Sequence, residues 1–334
     1  IESRSAPGSD TAIQYGKDRI EIANLRLVSG DQRIEADGVV GSAAEPLKVN
    51  VANVDVAQLD TLLLTNQGIG GRLNASATVT GKTDALRVDG KFALSQGAFK
   101  EFKFESLGGT VDYGGKGLNV DVRLQQNPQA WLTAKGYVPM ALFEPSGDRE
   151  GGHVAAPPGE EINVQVASSE IDLGVIQGFT SYVTNVTGVL QANINVTGSA
   201  HDPHMNGAVD IRGGALTIPD LGTAYTGIDT RIDLKPDAVS ISEMRIVDEH
   251  QHVMTIGGTL GVHERAVGAV DLTIQSEDFE VIDNALADLK LDINVHVTGE
   301  TRTPRVEGLI EVENGTINVQ EILEQTTADP YATE

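Results

Sequence analysis

The chain of 334 residues is 40% hydrophobic but only 4% aromatic, carries a formal net charge of −24 and contains no cysteine. The acidity argues against nucleic acid, whose binding rests on neutralised phosphates, and against a basic grip on anionic lipid surfaces; the missing cysteines exclude disulfides, thiolate metal sites and a cysteine nucleophile. No apolar run approaches the ~18 residues of a membrane helix, and the start at Ile1-Glu2, with neither Met nor leader, reads as an internal segment of a longer protein.

In chain order, Ile20, Ile22, Leu25 and Leu27 mark a first strand whose register breaks at Ala23-Asn24. Ile34 to Gly41 follows, and Leu47, Val49 and Val51 alternate again. Val54 to Leu64 has apolar residues near helical spacing after Asp55, and Ile171 to Phe179 matches it after Asp172. Phe279 to Leu286 is a shorter third version, so three short helices are expected.

Behind these segments a phrase recurs. Gly71-Arg-Leu-Asn-Ala-Ser-Ala-Thr-Val-Thr-Gly81 runs on to Gly90 and Gly97; Gly188 to Gly198 runs on to Gly207 and Gly214; Leu289 to Gly299 runs on to Gly308 and Gly315. The spacing after the Val-Thr-Gly glycine is nine residues and then seven in every copy. Leu73, Ala75, Ala77 and Val79 alternate with polar residues, as do Leu190, Ala192, Ile194 and Val196, and Leu291, Ile293, Val295 and Val297. Period two over this length is a half-buried strand. Val88, Phe92 and Leu94, then Val209 and Ile211, then Val306, Ile310 and Val312 mark the returning strands. The glycines suit turns and close strand approach rather than a phosphate cradle. Leu118, Val120, Val122 and Leu124 form a further alternating stretch, and the strand pattern resumes at Ile162 after a Pro- and Gly-rich segment read as a mobile loop over 144–160.

One continuous repeat array over 1–334 is therefore expected, with approximate units 17–70, 71–187, 188–288 and 289–325. Repeats that cannot bury their own apolar face stack on their neighbours. With little helix to cover it, the reading is all-β: an elongated repetitive sheet folded lengthwise into a hydrophobic groove, with a few short helices. About twenty strands at about 4.8 Å each would stack to about 100 Å. An unfilled apolar trough of that size is costly in water, so it should hold lipid or another acyl chain. The inward residues are Leu73, Val79, Val88, Leu118, Val120, Val122, Leu190, Ile194, Val196, Ile211, Ile293, Val295 and Val297, by shared parity.

Covalent chemistry finds little support. No Gly-x-Ser-x-Gly elbow occurs, and no carboxylate pair stands out in so acidic a chain. His201-Asp-Pro-His204 has no counterpart in the sister loops. Asp248-Glu-His-Gln-His252 is the best metal candidate, two histidines at i and i+2 beside carboxylates, although a solvated polar turn is the commoner use of such residues. Asn185-Val-Thr and Asn195-Val-Thr match glycosylation sequons inside repeat strands, where accidental matches are expected. The expectation is a protein without catalysis, metal or cofactor.

The phrase Leu-x-Ala-x-x-x-Val-x-Gly followed by x-x-x-x-Pro-x-x-x-Gly resembles the AsmA-like superfamily, and the TamB family within it most closely. Gly198 to Gly207 with Pro203 and Gly299 to Gly308 with Pro304 fit best; Gly81 to Gly90 departs by having Ala85 and Leu86 but no proline. The resemblance covers about residues 20–320. It implies a periplasmic protein anchored in the inner membrane, whose β-groove carries phospholipids by their acyl chains to the outer membrane. It also implies a partnership with an outer-membrane barrel of the assembly-factor family; a scaffold or chaperone for outer-membrane protein assembly is the alternative. No anchor and no family C-terminal domain are recognisable, so a central segment is expected. A β-solenoid enzyme or adhesin would show coils of about 20–30 residues, far shorter than this repeat.

Overall fold

The computed structural model describes residues 11–319, apart from 17–18, 41–44, 59–67, 83–84, 101, 144–160, 179, 181 and 264–265. The expected loop over 144–160 and the apolar part of the first expected helix, from Leu59 onwards, lie outside the described residues. Two compact units are present. One comprises Ile1–Ile171 with Ala192–Met205, the other Asp172–Gln191 with Asn206–Glu334.

The first unit is an antiparallel meander. Its strands are β1 (Ala12–Tyr15), β2 (Ile20–Ser29), β3 (Gln32–Val40), β4 (Leu47–Asp55), β5 (Ile69–Thr80), β6 (Arg87–Phe99), β7 (Phe102–Gly114), β8 (Gly117–Gln125), β9 (Trp131–Pro139) and β10 (Asn163–Ser168). Each pairs antiparallel with the next, and β10 also takes up residues 193–196 of β12. β11 (Ile171–Asp172), β12 (Thr184–Gly198) and β13 (Pro203–Ile218) contribute residues to both units. The second unit continues with β14 (Thr223–Lys235), β15 (Ala238–Val247), β16 (Val253–His263), β17 (Ala266–Asp283), β18 (Ala287–Glu300) and β19 (Thr303–Ile317), again paired in sequence and antiparallel from β13 to β19.

The all-β expectation is met: both units are antiparallel sheet, with almost no helix among the described residues. Strands follow because alternating Val, Ile, Leu and Ala against Asp, Asn, Lys and Thr buries one face of a pleat and solvates the other. The Val-Thr-Gly glycines Gly81, Gly198 and Gly299 take φ of +81°, +90° and +95°, the left-handed region a side chain resists, and start the turns after β5, β12 and β18. Of the three expected helices, Leu173–Gly178 is a 3-10 turn opened by Asp172, whose Oδ1 accepts the Gly174 amide at 2.7 Å. Residues 56–58 are helical after Asp55. The third expectation is wrong: Phe279 to Asp283 continues β17, because Phe279 and Glu280 pair with Leu291 and Lys290 of β18 and are buried there.

Candidate functional site

Residues directly opposed across antiparallel strands share one face, so the ladder registers trace the apolar surface. In the first unit Leu47, Val79, Val88, Tyr113, Leu118 and Val138 oppose one another in turn from β4 to β9. A parallel row runs through Val51, Ala75, Phe92, Gly109, Val122, Ala134, Val166 and Ile194. Between them lies the row holding Val120 and ending at Val164–Val196, and a fourth row carries Leu73 between Val54 and Leu94. In the second unit Val209, Ile232, Ile241, Gly258, Leu272, Val297 and Val306 line up across β13 to β19. Ile293 and Val295 stand in neighbouring rows, facing Ile310 and Gly308. Ile211 faces Thr230, and Leu190 lies in β12 beside exposed Gln191.

Of the thirteen residues expected to face inward, only Val295 is buried, at 6% exposure; the other twelve are half-buried. A face closed under a second sheet would bury such side chains throughout. The opposite face is polar: Lys48, Thr78, Asp89, Asp112 and Asn119 form one of its rows, Lys135–Asp121 at 2.8 Å and Arg231–Asp210 at 3.1 Å bridge its strands, and Arg231 also pairs with Asp233 of its own strand at 3.0 Å. Water screens these exposed pairs, so this face mainly supplies solubility.

Strict alternation misses a device that recurs four times. Asn24, Asn53, Gly213 and Asp278 all have φ between 49° and 55°, and each sits where the register to the following strand shifts. The freed amide of each donates to a side-chain oxygen on that strand: Asp37 at 3.0 Å, Asn74 at 3.0 Å, Asp229 at 2.8 Å and Asp292 at 2.6 Å. Asn and Asp tolerate the left-handed region better than other side chains, and the acceptor satisfies an amide that has lost its ladder partner. Beyond each bulge the inward parity flips, which brings Val54 and Phe279 onto the apolar face at 4% and 1% exposure. The available signal was an Asn, Asp or Gly before an apolar residue together with an Asx in the next strand; only the break at Asn24 was read.

The histidine motifs form no metal centre: among the described residues no group of three or more His, Asp or Glu is placed to hold an ion. Asp248 is not a solvated turn residue either. It is 1% exposed, its Oδ1 accepts the amides of His250 and His252 at 2.9 and 2.8 Å, and its Oδ2 accepts that of Glu280 at 3.0 Å. Burial pushes its carboxyl upward, but the Glu280 and His252 amides and the His252 ring outweigh it and hold Asp248 below the usual carboxylate value.

No described helix is long and apolar enough to cross a membrane. No curated protein and no solved structure matches the chain. Residues 242–333 match the family model of the TamB C-terminal domain, which corrects the expectation that no such domain is recognisable. That family is envelope-associated, with roles in outer-membrane protein assembly or lipid transport. Residues 242–333 are thus similar to the TamB C-terminal domain, and this match is consistent with a segment of a TamB/AsmA-like protein.

Proposed function

We propose that this chain is part of a periplasmic bridge, held by an inner-membrane anchor elsewhere in a longer protein, that carries phospholipids between the membranes with their acyl chains on the apolar face. The observation that carries this reading is the set of unbroken cross-strand rows, such as Val51 to Ile194, which run from strand to strand on a face left half-buried. Acyl chains favour such a surface without needing any particular polar partner, at about 25 cal/mol per Å² of apolar area removed from water. No covalent chemistry is invoked.

Native mass spectrometry of the purified protein tests for retained phospholipid. A sharper test places a charge on the path. Ile194→Asp puts a carboxylate on the apolar face, where desolvation costs several kcal/mol, whereas Asn195→Asp alters an exposed position on the other face. With both variants folded, lipid transfer should fail for Ile194→Asp alone. Equal effects, or undiminished transfer by folded Ile194→Asp, would overturn the conduit.

One observation favours the second reading, a scaffold for outer-membrane protein assembly with a barrel partner. Every residue of β19 is exposed, and among the described residues its only ladder is with β18. An open strand edge is a template for another strand.

A further inference from the structure

β14 and β17 are separated in the ladder by β15 and β16, yet at one end of the second unit they meet directly. The Asp283 amide donates to the Leu221 carbonyl at 2.9 Å, and Asn284 Nδ2 donates to the Asp220 carbonyl at 2.9 Å. Tyr225 and Phe279 stack with centroids 5.4 Å apart, and the Tyr225 hydroxyl donates to the Glu280 carbonyl at 3.1 Å. The shorter β15–β16 hairpin ends in the turn at 248–252, anchored here through Asp248 and the Glu280 amide. The strand ends therefore close into an arch.

Five titratable groups gather at this anchor. His252 stands between two carboxylates, with Nδ1 3.1 Å from Asp248 Oδ2 and Nε2 3.4 Å from Asp278 Oδ2. His250 Nδ1 lies 3.4 Å from Glu280 Oε1, and Glu280 is 4% exposed. A neutral imidazole has one N–H and one lone pair, so one of the two His252 contacts sets a lone pair against a carboxylate oxygen. The imidazolium donates to both. With both histidines neutral, three carboxylates share a partly dry site without a compensating charge inside it, a costly arrangement. The surrounding groups are Tyr225 from β14, Asp283 from β17, and Lys290 and Asp292 from β18, with Asp292 already accepting the Asp278 amide. Glu249 in the same turn is exposed.

We propose that this arch is a proton-responsive clasp: protonation of His250 and His252 tightens the hold of the β15–β16 turn on β17, and their deprotonation loosens it. The sign holds for the acids as well. Burial first, then the Asp283 and Asp248 carboxylates, push Glu280 above its ordinary value against the pull of His250 and Lys290, so its proton also favours the closed form. Asp248, held low, opposes only at still lower pH, when its own carboxyl takes a proton. A loosened clasp would uncover Tyr225 and Phe279 at the strand ends. If the apolar face carries acyl chains, that is a pH-dependent opening at its margin; this consequence rests on the proposed function, while the clasp itself does not.

Amide hydrogen exchange followed by mass spectrometry on the protein without lipid tests it. After correction for intrinsic rates, protection across 279–283 should rise about tenfold from pH 7.5 to pH 5.5, while residues 118–124 of β8 stay unchanged. His250→Gln/His252→Gln should remove most of the rise, leaving only the part that Glu280 contributes. NMR titration of the two imidazoles in the wild type, which needs no variant, should follow the same midpoint. Protection that is flat or falls on acidification, or a rise of undiminished size in the folded double variant, would overturn the clasp and leave the conduit reading untouched.

Discussion

The same phrase has two different fates in this molecule. In β6 and β13 the returning strand is covered on both sides; in β19, among the described residues, it is bonded to β18 alone. Gly97 of β6 lies against the ring of Phe104 on β7, where a Cβ would come within 2.0 Å of the ring, and Gly214 of β13 faces Ile228 of β14 at 3.0 Å. At Gly315, seven residues after its own Gly308 just as in the other copies, the atoms nearest to an added Cβ are the ends of the Leu289 and Val312 side chains and the Asp288 carbonyl. Accordingly Leu94 is 7% exposed, whereas Val306, Ile310 and Val312 are 55–62% exposed. An inward parity therefore does not bury a side chain by itself. Burial needs a neighbour on each side of the strand, and the third glycine of the phrase makes room for what that neighbour brings.

The widest gap expected from this comparison is between Phe279 and Val306 within the second unit. Phe279→Ala should cost about 3–5 kcal/mol in denaturant unfolding, as for a filled aromatic site, while Val306→Ala should stay within about 0.5 kcal/mol. Similar losses at both would show that β19 is covered. Next come the glycines: Gly97→Ala should cost about 1–3 kcal/mol because the buried Phe104 ring must move. Gly315→Ala should cost under about 1 kcal/mol, since the Leu289 Cδ1 3.0 Å away can rotate aside.

Smaller effects probe the bulges and the buried carboxylate. Asp292→Ala, which leaves the Asp278 amide without its acceptor, should cost about 1 kcal/mol and speed exchange of that amide, with Asp292→Asn recovering most of the loss. Asp248, being held below its ordinary value, contributes stability that is complete above about pH 4 and fades as pH falls through its folded value. Asp248→Asn should therefore flatten the acid limb of a melting-temperature profile. An unchanged slope below about pH 4 would place the acid sensitivity elsewhere.

Sequence alone determined the strand class, the polar and apolar faces and the turn glycines, because each depends on residues close in the chain: period-two alternation makes a strand two-faced, and the left-handed turn at Gly81, Gly198 and Gly299 excludes a side chain locally. It also placed Leu73, Val79, Val88, Leu118, Val120 and Val122 on one parity, from which the registers assemble rows across strands. What only the tertiary structure decided depends on partners far along the chain. The flips of parity at Asn53, Gly213 and Asp278 need an Asx acceptor 21, 16 and 14 residues away. The helical spacing of Phe279 to Leu286 yields to a strand because β18 supplies a ladder and a buried seat. Asp248, whose motif suits a solvated turn, and Glu280, expected in a short helix, are buried because the arch brings together segments 32 residues apart. Local pattern sets which way a side chain points; only the neighbouring strand decides whether it meets protein or water.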